Sequence, residues 1–449
     1  MKPVVTMPQT FLVGNLWDLQ ANRLGFLEEV YHTCGEVGIF YLGYKKIYTF
    51  TAPKYAHSIL VQNSKYFEKG PILRKFSKPF MGDGLLSCLN KDHLKKRRFL
   101  ASSFHRRTLT SFVPVIQRLS EESLNWNSGS QVELYPEMMK LTMKIIGHIL
   151  LSIDIEEYSP MLAQALHVGM NDVSERIRTP LYPPLWVPTA ANRKTKKHLR
   201  FIDTFLIEMI HQRRMSLQEN GKISDELSPT DVLTLLIQAS DEDGRGLSDR
   251  EIRDELATLI FAGFETTTNA LAWTLCLLYE HQEVLQKGRE EVQNILQSQT
   301  CSVEHLSQLK YIQSILEESM RIYPPAHTVG RITVSDIDIE GISLKKGDIV
   351  LVCPYLMHRI SEFFPQPEVF RPERFFLEEE RSRIPKYTYM PFGLGPRSCI
   401  GGQLAMMESK IILATLLQKK FGWELMEGFP KPYTTVSIRP EGNIPAQIT

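Results

Sequence analysis

The chain has 449 residues, 43% hydrophobic and 23% charged, with a formal net charge of +1. It is long enough to bury a large core with room for a cofactor. The near-neutral charge argues neither way on nucleic acid, and no such partner is expected. Six cysteines (34, 88, 276, 301, 353, 399) are scattered without a CxxC or CxxH pair, which disfavours zinc and iron–sulfur sites and fits a reducing compartment.

Residues 1–24 lack both the basic and the apolar run of a signal peptide. No stretch reaches the ~18 apolar residues of a membrane span; residues 145–153 and 271–279 are apolar but read as core helices. There is no repeat, low-complexity tract or long linker. One soluble, cytoplasmic, monomeric domain over 1–449 is therefore expected.

In chain order, residues 24–34 read as a helix. Residues 36–50 alternate and break at Gly43, predicting a β-hairpin, and 56–63 read as a short helix. Residues 70–90 hold Gly82, Gly84 and two prolines and read as a long irregular loop of the kind that carries function. On the following helical stretch His93 and Arg97 are i and i+4, share a face, and could both reach an anionic group. Lys95, Lys96 and Arg98 point elsewhere, toward solvent; the plainer alternative for the whole run is a basic amphipathic face. Residues 109–218 are mostly helical, interrupted by Thr179-Pro180 and Pro183-Pro184, and 219–229 form a polar connection.

Ser248-Asp249-Arg250-Glu251 matches a capping box and opens a long helix over 249–281, on the order of 50 Å in length. Ala262, Gly263, Thr266, Thr267 and Ala270 form a stripe of small residues in its middle, a groove against which something flat can lie. Glu265 and Thr266 add a carboxylate and a hydroxyl beside it. The threonines can bond a carbonyl one turn back and bend the helix, so a kinked core helix is the plainer reading. Residues 302–322 are helical, and Glu318 and Arg321 can pair at i, i+3, by default on the surface. Residues 331–353 read as β and 363–376 as Pro-rich. Residues 433–449 read as a last hairpin turning at Pro440-Glu441-Gly442.

Cys399 sits in the loop Phe392-Gly393-Leu394-Gly395-Pro396-Arg397-Ser398-Cys399-Ile400-Gly401, with a helical pattern over 403–421 behind it. A helix N-terminus favours a thiolate, and a thiolate in a rigid glycine-rich loop suits a haem iron. Glycines would let the backbone approach a flat macrocycle, and Arg397 could meet a haem propionate. A lone cysteine is otherwise a small core hydrophobe.

Taken together, these stretches resemble the cytochrome P-450 superfamily. Phe392-x-x-Gly395-x-Arg397-x-Cys399-x-Gly401 is similar to its haem-binding signature, Glu318-x-x-Arg321 to its E-x-x-R element, and Pro372-Glu373-Arg374-Phe375 to its P-E-R-F element. Ala262-Gly263-x-Glu265-Thr266-Thr267 is similar to its oxygen-activating helix, and Ala405 and Glu408 fit the pattern after the cysteine. All stand in the family's order.

The resemblance implies a mainly α fold with small β-sheets and haem b between a distal helix (249–281) and a proximal helix (403–421). Cys399 would be the iron ligand. His93, Arg97, Arg331 and Arg397 would face the propionates, with Ala262, Gly263, Phe392 and Gly401 against the macrocycle. Glu318, Arg321 and Arg374 would form a buried charge network. His93 departs from the tryptophan of many members but can also donate a hydrogen bond. The N-terminus lacks the membrane anchor and Pro-rich hinge of microsomal relatives, implying a soluble, bacterial-type member in preference to a truncated membrane-anchored form.

The implied activity is monooxygenation, one atom of dioxygen entering a C–H or C=C bond of an apolar small molecule (fatty acid, terpenoid or steroid). Thr266 would hold a water and Glu265 would relay protons from solvent. No flavin or iron–sulfur motif occurs, so electrons would come from a ferredoxin or flavodoxin-type donor with its reductase, docking near Lys95, Lys96 and Arg98. Residues 70–90, 160–215, 326–329 and 434–436 would line the substrate pocket. The rival readings are an electron-independent haem-thiolate isomerase or dehydratase, and a non-catalytic haem or ligand-binding protein.

Overall fold

The computed structural model describes residues 4–155, 160–179, 182–219, 231–241, 244–419, 421–434 and 436–449. Pro180, Thr435 and the polar connection from residue 220 on lie outside the described residues. The helices that position the site are α1 (Pro71–Met81), α2 (Asn90–Ala101), α3 (Leu134–Leu151), α4 (Pro160–Arg178), α5 (Asp249–Glu280), α6 (Lys310–Ile322) and α7 (Gly402–Gln418). The strands are β1 (Val5–Thr6), β2 (Val37–Leu42), β3 (Lys45–Phe50), β4 (Phe67–Lys69), β5 (Gln131–Glu133), β6 (Val329–Thr333), β7 (Ile337–Ile339), β8 (Ile342–Leu344), β9 (Ile349–Val352), β10 (Trp423–Leu425), β11 (Pro432–Thr434), β12 (Ile438–Pro440) and β13 (Pro445–Ile448). A largely helical body thus carries small sheets, the largest in the order β1-β2-β3-β9-β6-β4.

α5 begins at the predicted capping box: Glu251 N donates to Ser248 Oγ at 3.3 Å and Ser248 N donates to Glu251 Oε2 at 3.0 Å. Its apolar residues cover every face, so the helix is driven into the core rather than onto it. Between residues 252 and 278 only Ala262, Gly263 and Thr266 are not buried. α3 packs alongside. A Cβ on Gly263 would lie 2.8 Å from Ile146 Cδ1, so this glycine serves the close approach of α3 and α5. The stripe expected to form one groove is therefore divided: Gly263 backs onto α3, Thr267 and Ala270 are buried, and Ala262 and Thr266 stay accessible.

The β2–β3 hairpin forms as expected, with Gly43 at φ 61. Two expectations are corrected. Residues 70–90 are not one irregular loop, because α1 occupies their first half. Pro71 takes the helix's first turn, where its missing N–H is no loss, and Pro79 forgoes a single backbone bond. Gly82, at φ 55, ends the helix, and the chain beyond is strapped to α5: Asp83 N donates to Asp254 Oδ2 and Leu85 N to Glu255 Oε2, each at 2.9 Å. At the C-terminus, Pro440-Glu441-Gly442 does not turn a hairpin. β12 pairs with β11, whereas β13 pairs with β10 and β5. Positive φ at Gly442 and Ile444 carries the chain from one sheet to the other.

Glu318 and Arg321 are fully buried, not a surface pair. Arg321 Nε donates to Glu318 Oε2 at 2.7 Å, and Arg374 Nε donates to Oε1 at 3.1 Å. Arg321 also donates to His358 O at 2.9 Å, and Met390 N donates to His358 Nε2 at 3.1 Å. Burial and Arg321 push His358 down to about 3, so its ring stays neutral and accepts that bond. The implied charge network is present, and it anchors the chain just before the Cys399 loop. Glu318→Ala strands two buried guanidinium groups and is expected to lower stability by about 3–5 kcal/mol, read as a shift in the denaturant midpoint. A loss below ~1 kcal/mol would remove the network from the list of supports of this loop.

Glu408 on α7 is 3% exposed, and its Oε1 has no hydrogen-bond partner among the described residues. Burial pushes its carboxyl up to about 8. The folded state therefore holds a proton that the unfolded chain releases near pH 4.5, and stability falls as pH rises from there to about 8. Glu408→Gln is expected to match wild type near pH 5 and exceed it at pH 8 by on the order of 4 kcal/mol, measured as parallel unfolding curves. An equal difference at both pH values would contradict this.

Candidate cofactor site

Cys399 is placed by its loop. Its N–H donates to Phe392 O at 2.8 Å, closing the turn. Gly395 has φ 69, and a Cβ there would lie 2.0 Å from Leu60 O, so only glycine fits the approach. Gly401 stands immediately before α7. The Cys399 side chain is accessible, yet protein surrounds it closely enough to push its thiol up, opposed by the Gly401 N–H and by the charges of Arg97 and Lys69. Accessible and surrounded together describe a concavity. Burial thus works against the thiolate expected from the helix terminus; a metal ion bound there would displace the proton.

Cations converge on this concavity from α2, β4, β6 and the cysteine loop itself. On α2, His93 is 4% exposed, and Arg97 donates to Ser398 O at 2.7 Å, tying the helix to the cysteine loop. Lys69 on β4 lies opposite Arg331 on β6 in the strand register. Arg397 donates to Asn90 Oδ1 at 2.8 Å and to Cys88 O at 3.1 Å. Burial and mutual repulsion push Lys69 down to about 7, His93 to about 3 and Arg331 to about 10. His93 is therefore a neutral hydrogen-bond donor rather than a fifth charge. The nearest acid is Glu68, 3.8 Å from Arg397. Lys69, Arg97 and Arg331 have no carboxylate partner among the described residues.

So many half-buried cations with so little countercharge are costly unless an anion joins them. A soft sulfur donor beside a cationic wall suits an iron macrocycle with two carboxylates, and the residues present fit haem. Replacing Lys69, Arg97 or Arg331 with alanine is expected to speed haem loss about 10- to 100-fold, from the ~1.5–3 kcal/mol of a charged hydrogen bond. The measurement is transfer of haem to an excess acceptor protein. Lys95, paired with Asp241 at 2.8 Å, is the control. Transfer rates equal to wild type in all three variants would overturn the assignment.

Lys69 was missed in the sequence: no local motif marks it, and only its pairing with Arg331 reveals it. Lys96, read as solvated and part of a docking face, instead donates to Glu255 at 3.0 Å and is largely buried. Lys95 is also engaged. Ala262 and Thr266 are the exposed residues in the middle of α5, and Thr266 Oγ1 donates to Ala262 O at 2.8 Å, the one-turn bond expected. Glu265 is not brought to them. It is 8% exposed and turns toward Ser437, whose hydroxyl donates to its Oε1 at 3.0 Å. Along the presumptive pocket edge Ala326 is accessible, but His327 is buried.

Comparison with known proteins identifies the family. Residues 6–444 match the family model described as Cytochrome P-450. Pentalenene oxygenase of Streptomyces avermitilis is 28% identical, over 91% of this chain and 88% of its own length. Cyclooctatin synthase of Streptomyces melanosporofaciens is 30% identical, over 90% of this chain and 85% of its own. Cytochrome P-450 4V2 of Homo sapiens is 28% identical, over 93% and 84%. With a family model spanning nearly the whole sequence, this chain belongs to the cytochrome P-450 family and is a haem-iron monooxygenase that acts on a hydrophobic molecule with dioxygen and electrons from a redox partner.

Proposed function

We propose that residues 1–449 form one haem b domain that oxygenates a terpenoid, with Cys399 as iron ligand, α7 on the proximal side and α5 on the distal side. The observation that carries it is the accessible Cys399 in a recess ringed by cations, of which Lys69, Arg97 and Arg331 have no carboxylate partner among the described residues. Lys69, Arg97, Arg331 and Arg397 would hold the two carboxylates, His93 would donate a hydrogen bond, and Ala262, Phe392 and Gly401 would border the macrocycle, whereas Gly263 backs onto α3 instead. When bound, the haem iron activates dioxygen, and thiolate donation favours O–O cleavage.

The chain's own residues then manage protons and substrate. Thr266, its hydrogen committed to Ala262 O, keeps its lone pairs free to hold a water. Glu265 supplies protons from the far side of the helix. Two relatives named for pentalenene and cyclooctatin favour a terpenoid over a fatty acid or steroid. Electrons come from a ferredoxin or flavodoxin-type donor with its reductase, and the protein works as a soluble cytoplasmic monomer without nucleic acid. Among the described residues no helix is long and apolar enough to cross a membrane.

The test titrates terpenoid, fatty-acid and steroid panels by haem spin-state shift, then follows NADPH-driven turnover with a surrogate ferredoxin and its reductase. A terpenoid should give the tightest shift and a product one oxygen heavier. Turnover without any electron donor would favour the isomerase reading instead, and tighter binding of fatty acids would reject the substrate class.

A further inference from the structure

The cations around Cys399 come from distant parts of the chain, and Asn90 ties three of those parts together. Asn90 opens α2, and the residue before it, Leu89, has no side-chain group to cap the helix. The carboxylate of Glu68 caps it instead, from β4: Asn90 N donates to Glu68 Oε1 at 3.0 Å and to Oε2 at 3.1 Å. A helix N-terminus favours such a charge. The Asn90 side chain then reaches two ways. Its Nδ2 donates to Phe67 O at 2.8 Å, and its Oδ1 accepts from Arg397 Nη2 at 2.8 Å.

Each partner adjoins a residue of the cation wall. Phe67 and Glu68 precede Lys69, which lies opposite Arg331. Asn90 shares α2 with His93 and Arg97, and Arg397 shares the loop with Cys399. α2 is thereby fixed to the cysteine loop at two points, Asn90 to Arg397 and Arg97 to Ser398, about 10 Å apart along the helix. One such contact would leave the helix free to pivot; two set both its distance and its rotation. Glu68 has a second effect. Its Oε2 lies 3.8 Å from Arg397 Nη2, and its charge also acts on Arg331. It is an anion built in beside the same guanidinium groups that would hold the cofactor's carboxylates, and like charges there oppose one another.

We propose that Asn90 and Glu68 are positioning residues of the haem site: Asn90 sets the registration of β4, α2 and the cysteine loop, and the Glu68 charge limits how tightly the cations hold the cofactor's carboxylates and how readily the iron is reduced. The inference rests on the cation-lined recess being the haem site. The two residues then act in opposite directions. Without the Asn90 side chain the three elements lose their common tie, and haem leaves faster. Without the Glu68 charge, but with a capping acceptor kept, the wall is more cationic. It holds the carboxylates longer and favours the added electron at the iron.

The experiment measures two quantities on the substrate-free holoenzyme: haem transfer to an excess acceptor protein and the midpoint potential of the iron. Glu68→Gln keeps an acceptor for the Asn90 N–H. It should slow transfer about 3- to 10-fold and shift the one-electron equilibrium toward reduced iron by a similar factor. Glu68→Asp keeps the charge and should hold the wild-type potential. Asn90→Ala should speed transfer about tenfold. A structural role alone would speed haem loss in both Asn90→Ala and Glu68→Gln, so faster transfer or an unmoved potential in Glu68→Gln overturns the proposal. If Asn90→Ala does not fold, the Glu68 variants decide. Arg97→Ala, run in parallel, separates the two readings. If Arg97→Ala alone loses haem faster than wild type, the haem site stands and this inference fails. If it too matches wild type, the haem site itself is wrong, and this inference falls with it.

Discussion

Cys399→His is expected to give a folded, haem-containing protein whose reduced CO complex loses the long-wavelength band of thiolate ligation. Turnover should fall by roughly a thousandfold or more, about 4 kcal/mol of barrier. Folding should survive because the side chain is accessible rather than part of the core. The turn is made instead by the Cys399 N–H on Phe392 O and by Gly395 against Leu60. The cations that would hold the carboxylates are untouched, so haem content should stay measurable. Histidine still offers a ligand but not the thiolate's electron donation, and that donation is what favours O–O cleavage. Wild-type protein should show the long-wavelength band. A wild-type spectrum typical of histidine ligation would falsify the assignment of Cys399.

Several elements were legible because their signals are local. The α5 capping box, the hairpin around Gly43 and the cysteine loop each lie within ten or so consecutive residues, where turn and cap chemistry is decided. What the sequence hid was set by distant partners. Lys69 becomes part of the cation wall only through its register with Arg331. Lys96 looks like a surface charge until Glu255, on another helix, claims it. Gly263 sits in a stripe that resembles a cofactor groove, yet its missing Cβ makes room for Ile146. Glu318 and Arg321 have the spacing of an exposed pair; their burial with Arg374 followed from the family resemblance alone, and tertiary packing with Arg374 and His358 produces it. The helix α1 was hidden because its prolines read as breakers: Pro71 sits in the first turn, where a helix tolerates it, but Pro79 lies inside the helix and gives up a backbone bond.

Thr266→Ala is expected to separate oxygen activation from everything else the site does. Thr266 is accessible in a stretch of α5 where, besides it, only Ala262 and Gly263 are not buried, so removing its hydroxyl leaves no cavity in the core. The lost bond is the one to Ala262 O, a one-turn bond of a kind that slightly weakens helices, and alanine is the better helix former. Fold, haem content and substrate spin-state shift should therefore match wild type. Electrons would still enter, because nothing on the electron-donor side changes. Protons, however, would reach the reacting oxygen without the water that Thr266 holds, and reducing equivalents would leave as hydrogen peroxide. Product formation should fall about 100-fold, the low end of a general-acid contribution, while NADPH consumption continues. Thr267→Ala is the control: it too bonds one turn back, to Gly263 O at 3.0 Å, but it is buried, so its loss should touch stability and leave coupling intact. NADPH consumed, product formed and peroxide released are measured in parallel for all three proteins. Wild-type coupling in Thr266→Ala would show that this hydroxyl does not control proton delivery. Equal uncoupling in Thr267→Ala would mean that any disturbance of the α5 centre suffices.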